Sequence, residues 1–324
     1  MRFFVSSTWL ILTLACVDAP SAADELPTID DGIRILSWNV SDDAFVSEPR
    51  IFQALLGWAN PDVVLLDEVA PSASGEQLIH ALDSIGSDKK EPWTVNFGVS
   101  GGRQRCVIAS RMPQKALPEF ASIVPYPEAD RRHLLEKMSV QESAYSAYSM
   151  EGGIPVNGAI ILAGGRRLLT VIADLQCCGN DPNSWQEYRR RAEVRAIRRL
   201  IEQILERTSV DGILIAGDFN LVNGPVPLVM LSEPYSPGDA GLIAAELHHP
   251  DGITSWTWDG RGTPFPSGKL DYQLYDPQSL VMRSGFILDT ERLSPEVLER
   301  HGLRNGASGM TGRHRPLLVE YGWN

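Results

Sequence analysis

Acids and amides stand at the ends of several apolar runs in this 324-residue chain. In "GILIAGDFNLVNG", Ile213, Leu214, Ile215 and Ala216 lead into Asp218 and Asn220. Residues two apart on an extended strand project from the same face. If that geometry persists through Phe219, the carboxylate and the amide stand side by side while Phe219 anchors the other face. An Asx-type turn closing a strand would use the same residues, so the segment alone leaves both readings open. Further runs end alike, at Asn39 in "GIRILSWNV", Glu68 in "DVVLLDEV", Asp174 in "LLTVIADL" and Asp271 in "KLDYQLY", and His314 precedes the last run. Carboxylate and amide oxygens without sulfur are the donor set of a hard cation such as Mg²⁺. A His near an Asp suits charge stabilisation at a phosphoryl group. Convergence at one edge of a sheet sandwich would join these ends into one site.

The elements that must position them can be read from periodicity. Ser47 and Pro49 open a helix whose Phe52, Leu55, Leu56 and Ala59 form one stripe, ended by Asn60-Pro61. A second helix is expected around Glu76 to Ile85, and "RCVIASRMP" reads as a strand stopped by Pro113. From there to Asn157 the pattern weakens into an irregular excursion with a short helix near Arg131 to Met138. Gly164-Gly165 joins two apolar strands as a hairpin. Ser184 and Glu187 open a helix with Trp185, Tyr188, Ala192, Ile197, Leu200, Ile201, Ile204 and Leu205 on its apolar side. Its arginines at 189, 190, 191, 195, 198 and 199 read as a solvated face rather than a nucleic-acid track. "SWTWDG", "KLDYQLY" and "HRPLLVEY" read as short strands, with Trp256 and Trp258 filling core positions. Strands, hairpins and helices interleave without a composition break, which predicts one domain of two packed sheets flanked by helices.

Bulk properties narrow the functional classes. Hydrophobic residues at 43% and charged residues at 22% suit a globular domain with a sizeable core. The net charge of −12 works against tight, sequence-independent nucleic-acid binding, without excluding a local basic rim. Arg2 followed by the apolar run Trp9 to Val17, too short to span a bilayer, reads as a signal peptide cleaved after Ala23. The mature chain, residues 24–324, is then expected to be exported, periplasmic or secreted, with a lipoprotein anchor through Cys16 as the lesser alternative. Cys106, Cys177 and Cys178 remain, an odd number. The adjacent pair is expected not to bond, since its ring is strained. A bridge from Cys106 to one of them fits an oxidising compartment. No cysteine spacing suits zinc.

"SWNV", "LLDEV", "GDFN", "KLDYQLY" and "RHRPLL", in that order, resemble the signature blocks of the endonuclease/exonuclease/phosphatase superfamily, across roughly residues 30 to 322. The resemblance implies the deoxyribonuclease-I-like fold: an α/β four-layer sandwich, two packed mixed β-sheets flanked by helices. It implies Glu68 as the main ligand of Mg²⁺ or Mn²⁺, with Asn39 beside it. Asp218 would activate the attacking water, Asn220 would position water and phosphate, and His314, oriented by Asp271, would stabilise charge on phosphorus. Two residues depart from the family pattern: Arg313 stands where an Asp is usual, and Asp174 where a His is common. Asp174 is therefore expected to supply the missing carboxylate, with Arg313 and Asn39 on the substrate phosphate.

The activity so implied is an exported, metal-dependent phosphoesterase acting on a phosphodiester, nuclease-like, or on a phosphomonoester. The alternatives are a catalytically impaired member serving as a binding protein, and a sphingomyelinase-like lipid-headgroup phosphodiesterase. Arg103, Arg105 and Arg111 would form a nuclease's rim, though solvent exposure alone accounts for each; "SAYSAYSM", Ser143 to Met150, would be a lipid enzyme's aromatic loop. The partner is a phosphate-ester substrate, nucleic acid or lipid headgroup. No stable protein partner is implied, and a monomer is expected.

Overall fold

The structure is a computed structural model that describes residues 32–41, 43–83, 85 and 91–324. The expected signal segment and Cys16 lie outside the described residues. Elements run β1 (Ile33–Asn39), α1 (Ala44–Ser47), α2 (Pro49–Ala59), β2 (Val63–Val69), α3 (Gly75–Asp83), β3 (Thr94–Phe97), β4 (Arg105–Ser110) and β5 (Gln114–Ala116). Next come α4 (Glu128–Glu136), α5 (Val140–Glu151), β6 (Val156–Ala163), β7 (Arg166–Ala173), α6 (Trp185–Arg207) and β8 (Gly212–Asp218). The chain closes with α7 (Val226–Ser232), β9 (Ile243–Ala244), β10 (Asp271–Tyr275), β11 (Leu280–Ile287), α8 (Pro295–Arg300) and β12 (Leu317–Trp323).

The strands form two six-stranded mixed sheets, ordered β11-β12-β1-β2-β4-β3 and β5-β6-β7-β8-β10-β9. Period-two alternation sorts the side chains of each strand between two cores. On β1, Ile33 and Ile35 join Val63, Leu65, Ile161, Leu214 and Ala216 between the sheets. Leu36 and Trp38 face outward, against Phe52, Leu55 and Leu56 of α2. The outer face of the second sheet packs on Ala192, Ile197, Ile201 and Ile204 of α6. Three cores separate four layers, α/β/β/α. Phe52 is fully buried and stacks on Trp38 at 5.3 Å, a burial contributing roughly 1.5–3 kcal/mol. Among the described residues no helix is long and apolar enough to cross a membrane.

Local sequence rules account for the boundaries. Pro49 fits the first turn of α2, and Asn60 ends it in the left-handed conformation, φ 43°, its N–H donating to the Leu56 carbonyl. Gly164 and Gly165, both at positive φ, close the β6–β7 hairpin.

Several expectations are corrected. The excursion from Pro113 to Asn157 is largely helical, and "SAYSAYSM" lies within α5 rather than in a loop. The reason is a capping box: Ser139 Oγ accepts the Glu142 N–H, while the Glu142 carboxylate accepts the Ser139 N–H. The arginine run of α6 is not uniformly solvated. Arg189 and Arg190 are buried because Glu193 and Glu187, one turn away, pair with them at 3.1 and 2.9 Å. Cys106 is a free thiol in the inter-sheet core, while Cys177 and Cys178 are exposed free cysteines, so no bridge joins them.

Candidate active site

Sheet topology explains why distant residues meet. β1 and β2 are parallel, so Asn39 and Glu68 leave the first sheet at the same edge. β12 is antiparallel to β1, which brings His314, just before it, to that edge as well. In the second sheet β7 and β8 are parallel and end near Asp174 and Asp218. β10 is antiparallel to β8 with Asp271 opposite Asp218.

Asp218 is the hub of the edge and is buried. Its Oδ2 accepts from Asn39 Nδ2 at 3.2 Å, and its Oδ1 accepts the Asn220 N–H at 3.0 Å. The second bond is the Asx-type turn, so the turn and the site use the same geometry. β8 stops at Asp218, and Asn220 adopts φ 50° rather than extended geometry. Its Nδ2 donates to the Leu175 carbonyl at 2.9 Å. Phe219 is buried on the opposite face, stacked on Tyr272 at 5.6 Å.

Asp271 fixes the imidazole of His314, with Nδ1 at 2.9 Å from Asp271 Oδ2 and 3.1 Å from Oδ1. That leaves Nε2 facing Asp218 Oδ2 at 3.7 Å, beyond direct hydrogen-bond reach. Burial works against charge on His314, but the carboxylates of Asp271 and Asp218 outweigh it and push its pKa up to about 10. Burial and then the Asp271 charge push Asp218 up to about 7, with His314 opposing. The residues before Asp271 hold it in place: buried Thr257 accepts the Leu270 and Asp271 N–H groups on Oγ1, both at 2.9 Å.

A second cluster shares Asp218. Ligand atoms of Glu68, Asp174 and Asp218 all lie within 4.8 Å of one another. Glu68 reaches this position through a left-handed backbone, φ 54°, where the β2–β4 register shifts between Leu66 and Val69. A non-glycine residue in that region costs roughly 1–3 kcal/mol and persists only where its surroundings impose it. Asp174 is buried, and desolvation followed by the charges of Glu68 and Asp218 raises its pKa well above the usual carboxylate range. Three crowded carboxylates, Asp174 and Asp218 buried and Glu68 half-buried, with oxygen donors only are the chemistry of a hard divalent cation, so they fit Mg²⁺ or Mn²⁺. Asn39 does not present a free oxygen to this cluster: its Oδ1 accepts from Ser41 N at 3.0 Å and Ser41 Oγ at 3.3 Å. Its amide nitrogen orients Asp218 instead.

Asp67 escaped the sequence analysis. It is fully buried, and its Oδ2 accepts the Asp218 backbone N–H from the opposite sheet at 3.1 Å. Its Oδ1 is buried without a hydrogen-bond partner. Burial, then the Asp218 charge, raises its pKa well above the ordinary value. Alternation held the signal: Asp67 is two residues beyond Leu65, which faces the inter-sheet core.

The expected rim is also revised. Arg313 is exposed, with Nη1 donating to the carbonyls of Asp259 at 2.9 Å and Arg261 at 3.1 Å, and no contact joins it to Asp174 among the described residues. The loop fixes it because those carbonyls lie where its guanidinium can reach. Arg103 is exposed, but Arg111 is buried, lying over the Trp93 ring at 4.9 Å and donating to the Ile85 carbonyl. Trp256 and Trp258 are half-buried rather than core residues. The Trp256 ring meets the guanidinium groups of Arg261 and Arg315 at 5.7 and 5.2 Å, and Trp258 bridges Gly268 and His314 through its backbone.

A family model described as the Endonuclease/Exonuclease/phosphatase family matches residues 36–293. The human Nocturnin catalytic domain with bound sulfate is similar at TM-score 0.54 and 16% identity, covering 91% of this chain and 94% of that one. TDP2 from D. rerio complexed with single strand DNA product is similar at 0.52 and 15% identity, covering 90% and 99%. An endonuclease/exonuclease/phosphatase from Beutenbergia cavernae DSM 12333 is similar at 0.54 and 17% identity, covering 91% and 72%. At such identities the structural likeness speaks for the fold. No curated protein sequence matches.

Proposed function

Because the chain belongs to the endonuclease/exonuclease/phosphatase family, we propose that it hydrolyses a phosphodiester by in-line attack of water at the edge where its two sheets converge. The observation that carries this is the sharing of Asp218 between the Asp271–His314 pair and the Glu68–Asp174 carboxylates. Asp218, held by Asn39, Asn220 and Asp67, takes a proton from the water; a pKa near 7 suits a base at neutral pH. His314, kept cationic by Asp271, stabilises charge developing on the phosphate oxygens. Glu68 and Asp174 would hold Mg²⁺ or Mn²⁺, which when bound supplies charge neutralisation at the phosphate and draws the pKa values of its carboxylate neighbours down.

The substrate class first to be tested is a nucleic-acid phosphodiester, since the similar TDP2 structure contains a single strand DNA product. The net charge of −12 favours small or single-stranded substrates over duplex tracking. We also propose export, on the character of residues 1–23; amino-terminal sequencing of protein recovered outside the cytoplasm should begin at Asp24. A panel of single-stranded DNA, RNA, sphingomyelin and phosphomonoesters, each assayed with Mg²⁺ and with excess chelator, tests the activity. Chelator-sensitive cleavage of a diester supports the proposal, and no cleavage across the panel counts against it.

A further inference from the structure

Cys177 and Cys178 take no part in the proposed hydrolysis, yet their arrangement is unusual for adjacent residues. Both are exposed, and their sulfur atoms stand 2.9 Å apart. Closing to an S–S bond of about 2.0 Å needs less than ~1 Å of further approach. The backbone at the pair is bent: Cys178 has φ 66°, in the left-handed region, a conformation that persists only where its surroundings impose it. Buried Arg190 holds the bend, its Nη1 donating to the carbonyls of Gln176 at 2.8 Å and Cys178 at 2.7 Å while its Nε pairs with Glu187 at 2.9 Å.

The segment is also wired to the catalytic edge. Leu175, two residues before the pair, accepts from Asn220 on its carbonyl and donates its N–H to the Asp218 carbonyl at 2.8 Å. The Cys177 thiol is held well above its ordinary value, first by its contact with Cys178 and by burial, with smaller contributions from the charges of Asp174 and Asp218, so it is the resolving rather than the attacking thiol.

We propose that Cys177 and Cys178 form a redox-sensitive dithiol that small-molecule disulfides oxidise to a vicinal disulfide, and that this oxidation is transmitted through Leu175 to Asn220 and Asp218. The Cys178 thiolate attacks one sulfur of the disulfide, forming a mixed disulfide and expelling one thiolate. Cys177, deprotonated by solvent, then attacks Cys178 Sγ, forming the Cys177–Cys178 bond and expelling the second thiolate. Two electrons and two protons leave the pair, and the small-molecule disulfide is reduced to two thiols. Cys178 suits the attacking role because its sulfur–sulfur contact with Cys177 and then the Arg190 charge outweigh partial burial and bring its pKa down to about 6.

The test uses the folded full chain and 5,5′-dithiobis(2-nitrobenzoate). The peptide carrying both cysteines should lose two hydrogens with no adduct retained, while Cys177→Ser should keep one stable mixed disulfide on Cys178. A retained adduct on the wild-type pair, or a pair that reacts only after denaturation, would overturn the proposal. The second half rests on the proposed hydrolase function. It expects oxidised protein to lose several-fold in kcat/KM and recover with dithiothreitol, and unchanged activity would refute the transmission. If neither form is active, the hydrolase assignment fails and the peptide mass alone decides the dithiol.

Discussion

Replacing Asp271 with Asn keeps the size of the side chain and an acceptor for His314 Nδ1, but removes the charge 2.9 Å away. The His314 pKa stands at about 10 against an ordinary 6.5, so 10 − 6.5 corresponds to roughly 5 kcal/mol favouring the imidazolium. Asp271 is the foremost of the groups that raise it, Asp218 the next, and burial opposes both. Without Asp271 the imidazole should fall by at least ~2 pH units, into a range where it is neutral under mildly alkaline conditions. In the wild type, kcat/KM for a phosphodiester should rise with pH up to about 7 as Asp218 deprotonates, and fall only near 10. A bound cation would move the acid limb lower. In Asp271→Asn the alkaline limb should shift to about 8 or below, so the loss of activity grows with pH. The stability sign follows. A folded-state value above the unfolded one means the pair stabilises fully below about 6.5 and gives this up as pH climbs through about 10. Melting temperatures of wild type and variant should therefore differ at neutral pH and converge above about 10. An alkaline limb identical in both proteins, or a loss of activity independent of pH, would refute the reasoning.

Asp67→Asn retains an acceptor for the Asp218 N–H and removes a carboxylate whose folded pKa lies above its unfolded value. Thermal melts should show the variant gaining on wild type as pH rises past the ordinary carboxylate range, and parallel pH dependence would count against the assignment. Glu68→Gln should weaken Mg²⁺ binding in calorimetry at least tenfold while leaving the far-ultraviolet spectrum intact; an unfolded variant would make Glu68 structural. Gly217 precedes Asp218 at φ 130°, and a Cβ there would meet the Ala173 carbonyl oxygen at 2.0 Å. Gly217→Ala should cost about 2–4 kcal/mol in denaturant unfolding, and a neutral result would contradict the β7–β8 packing.

The strand ends were legible because alternation and apolar runs fix where a strand stops, and six of the expected residues meet at one edge: Glu68, Asp174, Asp218, Asn220, Asp271 and His314. Asn39 reaches that edge too, but as a donor to Asp218. Asp67 is masked in the sequence by its neighbour Glu68, because the register shift that turns Glu68 aside has no sequence signature. Arg189 and Arg190 show the limit of counting charges along a helix: Glu193 and Glu187 stand at pairing distance in the sequence, but tertiary packing buries the pairs, Arg190 against the Gln176 and Cys178 carbonyls and Arg189 against Tyr126 and Ser149. Arg313 depends on where the loop of Asp259 and Arg261 turns, a tertiary matter that spacing does not encode.

The most direct measurement is phosphodiester turnover by Asp218→Asn beside wild type, both with saturating Mg²⁺ and both verified as folded. Asn keeps the side chain's shape and one acceptor oxygen, enough for the Asn220 N–H, while its amide nitrogen takes the place of the oxygen that accepts from Asn39; the base is lost at the cost of that one bond, which is why folding is verified in both proteins. The account predicts a fall in kcat of about 10²–10⁴. Equal turnover in the two folded proteins would contradict it.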